Sequence, residues 1–145
     1  MEGFIVLFII LFLALFIVPM VFFLLQLQKL LNHCAPQNRI MEPGMVWLNI
    51  IPLFGMVWIF FTVIKIRDSL KGEFASRNLE SDDPEFGFMM GLIYAITGAC
   101  SIIPFIGTFA AIASIVFWII YWIKMNKYCN ILINNPGSDN AQLDS

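Results

Sequence analysis

One histidine, three cysteines and a short acidic run are the residues of this chain best suited to chemistry. His33 stands beside Cys34, while Cys100 and Cys129 are remote in sequence. A metal centre needs three or four ligands at suitable spacing, and neither a C-x-x-C pair nor H-E-x-x-H is present. Three cysteines form no closed disulfide set. A Cys34–Cys100 bridge is conceivable, and burial of Cys100 as a small apolar side chain is the simpler reading. Glu80, Asp82, Asp83 and Glu85 could attract a divalent cation. Helix capping explains them without one: Asp83 serves as N-cap, Pro84 takes the first helical position, and the acids face a helix N-terminus. There is no G-x-S-x-G and no Gly-rich phosphate loop. No catalytic, cofactor-binding or metal-binding residue is expected, so the chain does not read as an enzyme.

The elements that carry these residues are strongly apolar. Hydrophobic residues make up 60% of the 145 and charged residues 12%, against about 50% and 25% in soluble domains. A globule of this length cannot bury such an excess, which must face lipid. The expectation is an all-α integral membrane protein. A net charge of −2 gives no basic footprint for nucleic acid.

Four segments have the length and apolarity of a span. They cover about residues 3–27, 45–66, 86–103 and 105–123, paired as two helical hairpins in one domain over residues 1–133. The first has no basic n-region and no cleavage site, so it reads as an uncleaved span. Lys65, Arg67, Lys71 and Arg77 follow the second span, and Lys124 and Lys127 follow the fourth. Lys29 and Arg39 alone fall in the loop between the first two. The positive-inside rule then places both termini in the cytoplasm. Within residues 64–77, Ile66, Leu70 and Phe74 continue a helical row from Val63. The reading is an amphipathic helix along the inner interface. The polar stretch from Asn134 to Ser145 reads as a disordered tail.

Gly87, Gly91, Ala95 and Ala99 recur every fourth residue, and Gly107, Ala110, Ala111 and Ser114 lie in the next span. Small faces let helices approach closely in lipid, which predicts tight packing of spans three and four. An oligomer interface is the alternative. Phe4, Phe8, Phe12 and Phe16 form a bulky stripe along span one. Pro19, Pro52 and Pro104 predict kinks. Ile50-Ile51-Pro52-Leu53-Phe54-Gly55 resembles Ile102-Ile103-Pro104-Phe105-Ile106-Gly107, a match short enough to arise by chance. No Asp, Glu, Lys, Arg or His falls inside a span except Lys65 at the edge of the second, so ion or proton coupling has no support. Asn49, Thr62, Thr97, Ser101, Thr108 and Ser114 are the polar groups there.

The run Pro43-Gly44-Met45-Val46-Trp47-Leu48-Asn49-Ile50-Ile51-Pro52-Leu53-Phe54, with Asn38-Arg39 before it and Trp58, Ser69-Leu70, Glu73-Phe74 and Arg77 after it, is distinctive. It resembles a group of small, uncharacterised bacterial multi-pass membrane proteins with a PGxVWLNxIPLF-like motif. The resemblance implies a bacterial inner-membrane protein and carries over no activity and no functional residue. The expected role is that of a non-catalytic accessory or structural partner of other membrane proteins. Its partners are the lipid bilayer and other membrane proteins or copies of itself, reached through Arg67–Arg77 and the loop Asn32–Gly44. The alternative is a homo-oligomeric pore or transport protein lined by Asn49, Thr62, Thr97 and Ser101.

Overall fold

A computed structural model describes residues 1–136. The chain folds into five helices, with no strand among the described residues. Helix α1 runs Glu2–Asn32, a 3₁₀ helix follows at Pro43–Ile50, and α2, α3 and α4 cover Phe54–Ser76, Phe88–Cys100 and Gly107–Asn134. Two of these, α1 and α4, are long and apolar enough to cross a membrane. The expected tail lies outside the described residues from position 137 onward; Asn134 itself ends α4.

The second expected span is not one α-helix. Pro43 can start a helical turn, whereas Pro52 lacks an N–H and disfavours the helical region for Ile51 before it. Ile51 is extended at φ −67°, ψ 118°, and α2 begins only at Phe54. The third span is likewise shorter than expected, a helix of 13 residues. Asp83 caps, but not where expected. Its carboxylate accepts the Glu85 and Gly87 N–H groups at 3.0 and 2.8 Å. Gly87, left-handed at φ 73°, then separates that turn from α3.

The core gathers the C-terminal parts of α1, α2 and α4. Leu24, Leu27 and Leu30 of α1 meet Val63, Ile66 and Leu70 of α2 and Tyr121, Met125 and Cys129 of α4, all buried. The row Val63, Ile66, Leu70, Phe74 is thus internal and does not lie along a membrane interface. Phe23 takes edge-on contacts from Tyr94, Trp118, Tyr121 and Trp122. Helices α3 and α4 pair through the small faces: a Cβ on Gly91 would come within 2.8 Å of the Tyr121 ring and of Val63, and one on Gly98 within 3.3 Å of Ser114 Oγ.

Sequence reasoning set the loop Asn32–Gly44 on the opposite side from Arg67–Arg77. That requires correction, because the two are bonded. The Ala35 N–H and the Asn38 side-chain amide donate to Glu73 Oε2 at 2.8 and 2.9 Å, and the Ile40 N–H donates to Ser69 Oγ at 2.9 Å. The 3₁₀ helix and α2 therefore form a hairpin that leaves this end and returns to it. Helices α3 and α4 repeat the pattern, since Lys124 and Lys127 at the far end of α4 pair with Asp83 and Asp82 before α3. Both proline turns, Ile50–Gly55 and Ile102–Gly107, consequently sit at the tips of hairpins rooted at one end.

Candidate functional site

Two places in this fold concentrate polar atoms. The first is the rooted end, where Glu73 in the last turn of α2 and Arg77 at its C-cap lie one helical turn apart, with side chains only 2% and 6% exposed. Arg77 Nε donates to Glu73 Oε1 at 2.6 Å. Its remaining donors reach the His33 carbonyl just past α1, and the Leu132 and Asn135 carbonyls at the end of α4, at 2.7–2.9 Å. Helix C-termini leave carbonyls without intrahelical partners, and one planar guanidinium serves two such ends while a carboxylate neutralises it. Asn78, left-handed at φ 53°, closes α2, with the Leu79 N–H bonded to the Phe74 carbonyl.

Around this pair the more exposed charges are also paired within the chain. Arg67 pairs with Asp68 and Glu85 and stacks on Phe88 at 4.4 Å, and Lys71 pairs with Glu85. The charged side chains of Arg67, Asp68 and Lys71 in the segment Arg67–Arg77 make these contacts within the chain. The Lys127 ammonium holds Asp82 below the usual carboxylate range, and Lys71 does the same for Glu85. At Asp83 partial burial works the other way, and the Gly87 N–H and Lys124 outweigh it. Each acid has a cation of its own, and no group of three potential metal ligands exists among the described residues.

Cys34 and Cys129 are buried at this same end. Burial, with the nearby Glu73 charge, pushes the Cys34 thiol up to about 12, and burial raises Cys129, the opposite of the shift that activates a thiol. Cys100 ends α3 at the opposite extremity, which separates it from Cys34, and all three cysteines are free.

The second place is a cavity of about 240 Å³ behind the first proline turn, lined by Met20, Asn49, Gly55, Tyr94, Ala99 and Ser114 among others. Asn49, 7% exposed, donates to the Val46 carbonyl at 2.9 Å and to Thr62 Oγ1 at 3.1 Å. Thr62 in turn donates to the Trp58 carbonyl, and Ser114 donates to the Tyr94 carbonyl at 3.2 Å. Thr97 and Ser101 bond carbonyls of their own helix. Of the four residues expected to line a pore, only Asn49 reaches the cavity. The tryptophans of the motif are tied down too: Trp47 Nε1 donates to Gln28 Oε1 at 2.8 Å, and Trp58 Nε1 to the Met45 carbonyl at 3.0 Å. Trp47, Asn49 and Trp58 thus fasten the 3₁₀ helix to α1 and α2.

The two proline turns share a backbone geometry. Leu53 and Phe105, each following the proline, have φ of 63° and 71°. The Gly55 N–H bonds the Ile51 carbonyl at 2.7 Å, and the Gly107 N–H bonds the Ile103 carbonyl at 2.8 Å. A Cβ on Gly55 would collide with the Asn49 carbonyl oxygen, and one on Gly107 with that of Ser101, six residues back in both cases. Positive φ at a leucine or phenylalanine costs on the order of 1–3 kcal/mol, so each turn is held by its surroundings. Compared with known protein families, curated proteins and solved structures, the chain shows no match.

Proposed function

We propose that this chain is a non-catalytic integral protein of the bacterial inner membrane, an accessory or structural partner of other membrane proteins, crossing the bilayer once with α1. Two hairpins dip into the membrane from the cytoplasmic side. The observation that carries this reading is the distribution of charge. All eight Lys and Arg belong to the rooted ends of the elements, and Glu2 is the one charged side chain beyond the hairpin tips among the described residues. By the positive-inside rule the rooted end is cytoplasmic and the N-terminus lies across the membrane.

Length supports the same reading for the first hairpin and for α3, and in α4, which is long enough to cross, Lys124 is paired with Asp83 at the rooted end. The eight residues of the 3₁₀ helix rise roughly 16 Å, and α2 from Phe54 to Ile64 about the same. Lys65 then lies 5.5 Å from the Trp58 ring and limits the depth of that hairpin. Helix α3 rises roughly 20 Å, also short of a hydrocarbon core of about 30 Å. The tips present Ile50, Ile51, Leu53, Ile102, Ile103 and Phe105, apolar side chains suited to hydrocarbon. The uncovered half of α1 is what the protein offers to partners inside the bilayer.

The test is cysteine labelling in sealed inner-membrane vesicles, with Cys100 replaced by alanine. A membrane-impermeant maleimide is expected to reach Asn130→Cys from the cytoplasmic face and Glu2→Cys from the other face only, leaving Leu53→Cys and Phe105→Cys unlabelled from both. Labelling of a tip residue from the face opposite Asn130 would restore a spanning hairpin. Native mass spectrometry in lipid particles reads the role: a fixed complex with another protein supports the accessory reading, and a closed homo-oligomer favours a pore.

A further inference from the structure

The cross-section of the molecule changes along the membrane normal. At the rooted end α1, the first hairpin and the second hairpin pack side by side, with Leu27, Ile66 and Met125 all 0% exposed. Past the hairpin tips only α1 continues among the described residues. Its large side chains from Phe4 to Leu15 are 49–75% exposed, whichever way they point, so no other described element covers any face of that stretch. A helix with its side chains is about 10 Å across. The protein therefore tapers from several such diameters at one end to a single diameter at the other.

The tips reinforce the taper. Leu53 is 74% exposed and Phe105 98%, so the hairpins end in bulky apolar side chains with no described residue packed beyond them. A tapered solute displaces more lipid from one leaflet than from the other. Lipid area balances when the membrane bends away from the wide end.

From this we infer that the protein favours membrane curved convexly toward its charged, rooted end, and so concentrates there. The partner is the bilayer itself, recognised by shape. The inference rests on the proposed crossing of α1 and on the hairpins entering from the rooted end.

The experiment uses the full chain, labelled with a fluorophore at Asn130→Cys and reconstituted in giant vesicles from which a thin lipid tether is pulled outward. The ratio of protein to lipid fluorescence is compared between tether and vesicle. With the rooted end outside, a severalfold enrichment in the tether is expected, growing as the tether narrows; with the rooted end inside, depletion is expected. An equal ratio at every tether radius would overturn the inference. Equal ratios while impermeant labelling still finds Glu2→Cys and Asn130→Cys on opposite faces would refute curvature preference alone. Both labels on one face would refute the crossing, and the inference with it. Enrichment lost when crosslinking through Phe8→Cys joins two copies would show that a second α1 fills the narrow end, and would also overturn it.

Discussion

At the scale of single residues, one buried ion pair organises the molecule. Truncating one member of such a pair leaves the other charge buried and unpaired, which costs about 3–5 kcal/mol. Arg77→Ala is therefore expected to lower the thermal midpoint in mild detergent steeply, with Arg77→Lys recovering only part, because an ammonium cannot span the carbonyls of two helix ends. Tyr121 is the opposite case. Its hydroxyl is buried with no hydrogen-bond partner among the described residues, a situation that costs about 1–3 kcal/mol. Tyr121→Phe should leave the midpoint unchanged or raise it, and a drop would show that the hydroxyl has a partner. The acids at the surface set the pH response. Asp82, Asp83 and Glu85 titrate below their ordinary values when folded, so their stabilisation is full above those values and fades as pH falls through the depressed ones. The midpoint should hold level between about pH 5 and 7 and fall below about pH 4. Little of this was legible beforehand. The sequence places Glu73 and Arg77 at i,i+4, and such spacing says nothing about which distant carbonyls a side chain meets.

At the scale of elements, the repeated turn was visible in the sequence and undervalued there. Six similar residues in an Ile- and Phe-rich chain carry little statistical weight. The backbone supplies the missing weight: a positive φ after each proline, and a glycine packed against the carbonyl six residues earlier. Gly55→Ala and Gly107→Ala should each destabilise by about 1–3 kcal/mol, as overpacking does, read as a lower midpoint. Their effects should add, because the turns belong to separate hairpins. The small faces of spans three and four were read correctly as a pairing within the chain. The amphipathic row on α2 was recognised too, but not what covers it. An apolar stripe reports that something packs there, and leaves open whether that is lipid, a partner or the chain itself.

At the scale of the whole molecule, an all-helical chain was evident from composition, and its topology was not. Hydropathy counts apolar residues, and each long run was taken as a crossing. A run broken by proline into two short legs has the same composition, so hydropathy does not tell it from a single helix. The loop bonds from Ala35, Asn38 and Ile40 show the second run doubling back, and the Lys124 and Lys127 pairs bring the end of α4 to the same root. Orientation should then respond to charge placed at the other. Gly3→Lys with Phe4→Lys is expected to reduce the fraction of chains with the N-terminus outside, measured by protease protection of an N-terminal tag; an unchanged fraction would argue that the hairpins alone orient the protein.

The Arg77 contacts also impose an order on assembly. Two of the carbonyls that this guanidinium binds, those of Leu132 and Asn135, belong to the last described residues of the chain. During synthesis α1 and the first hairpin emerge long before them, with Arg77 still seeking acceptors. A nascent chain halted ahead of Leu132 has its cation only partly satisfied and its root open, and release of α4 closes it. Closure of the root thus waits for synthesis to pass Leu132, and a product truncated before it would keep a loosened end.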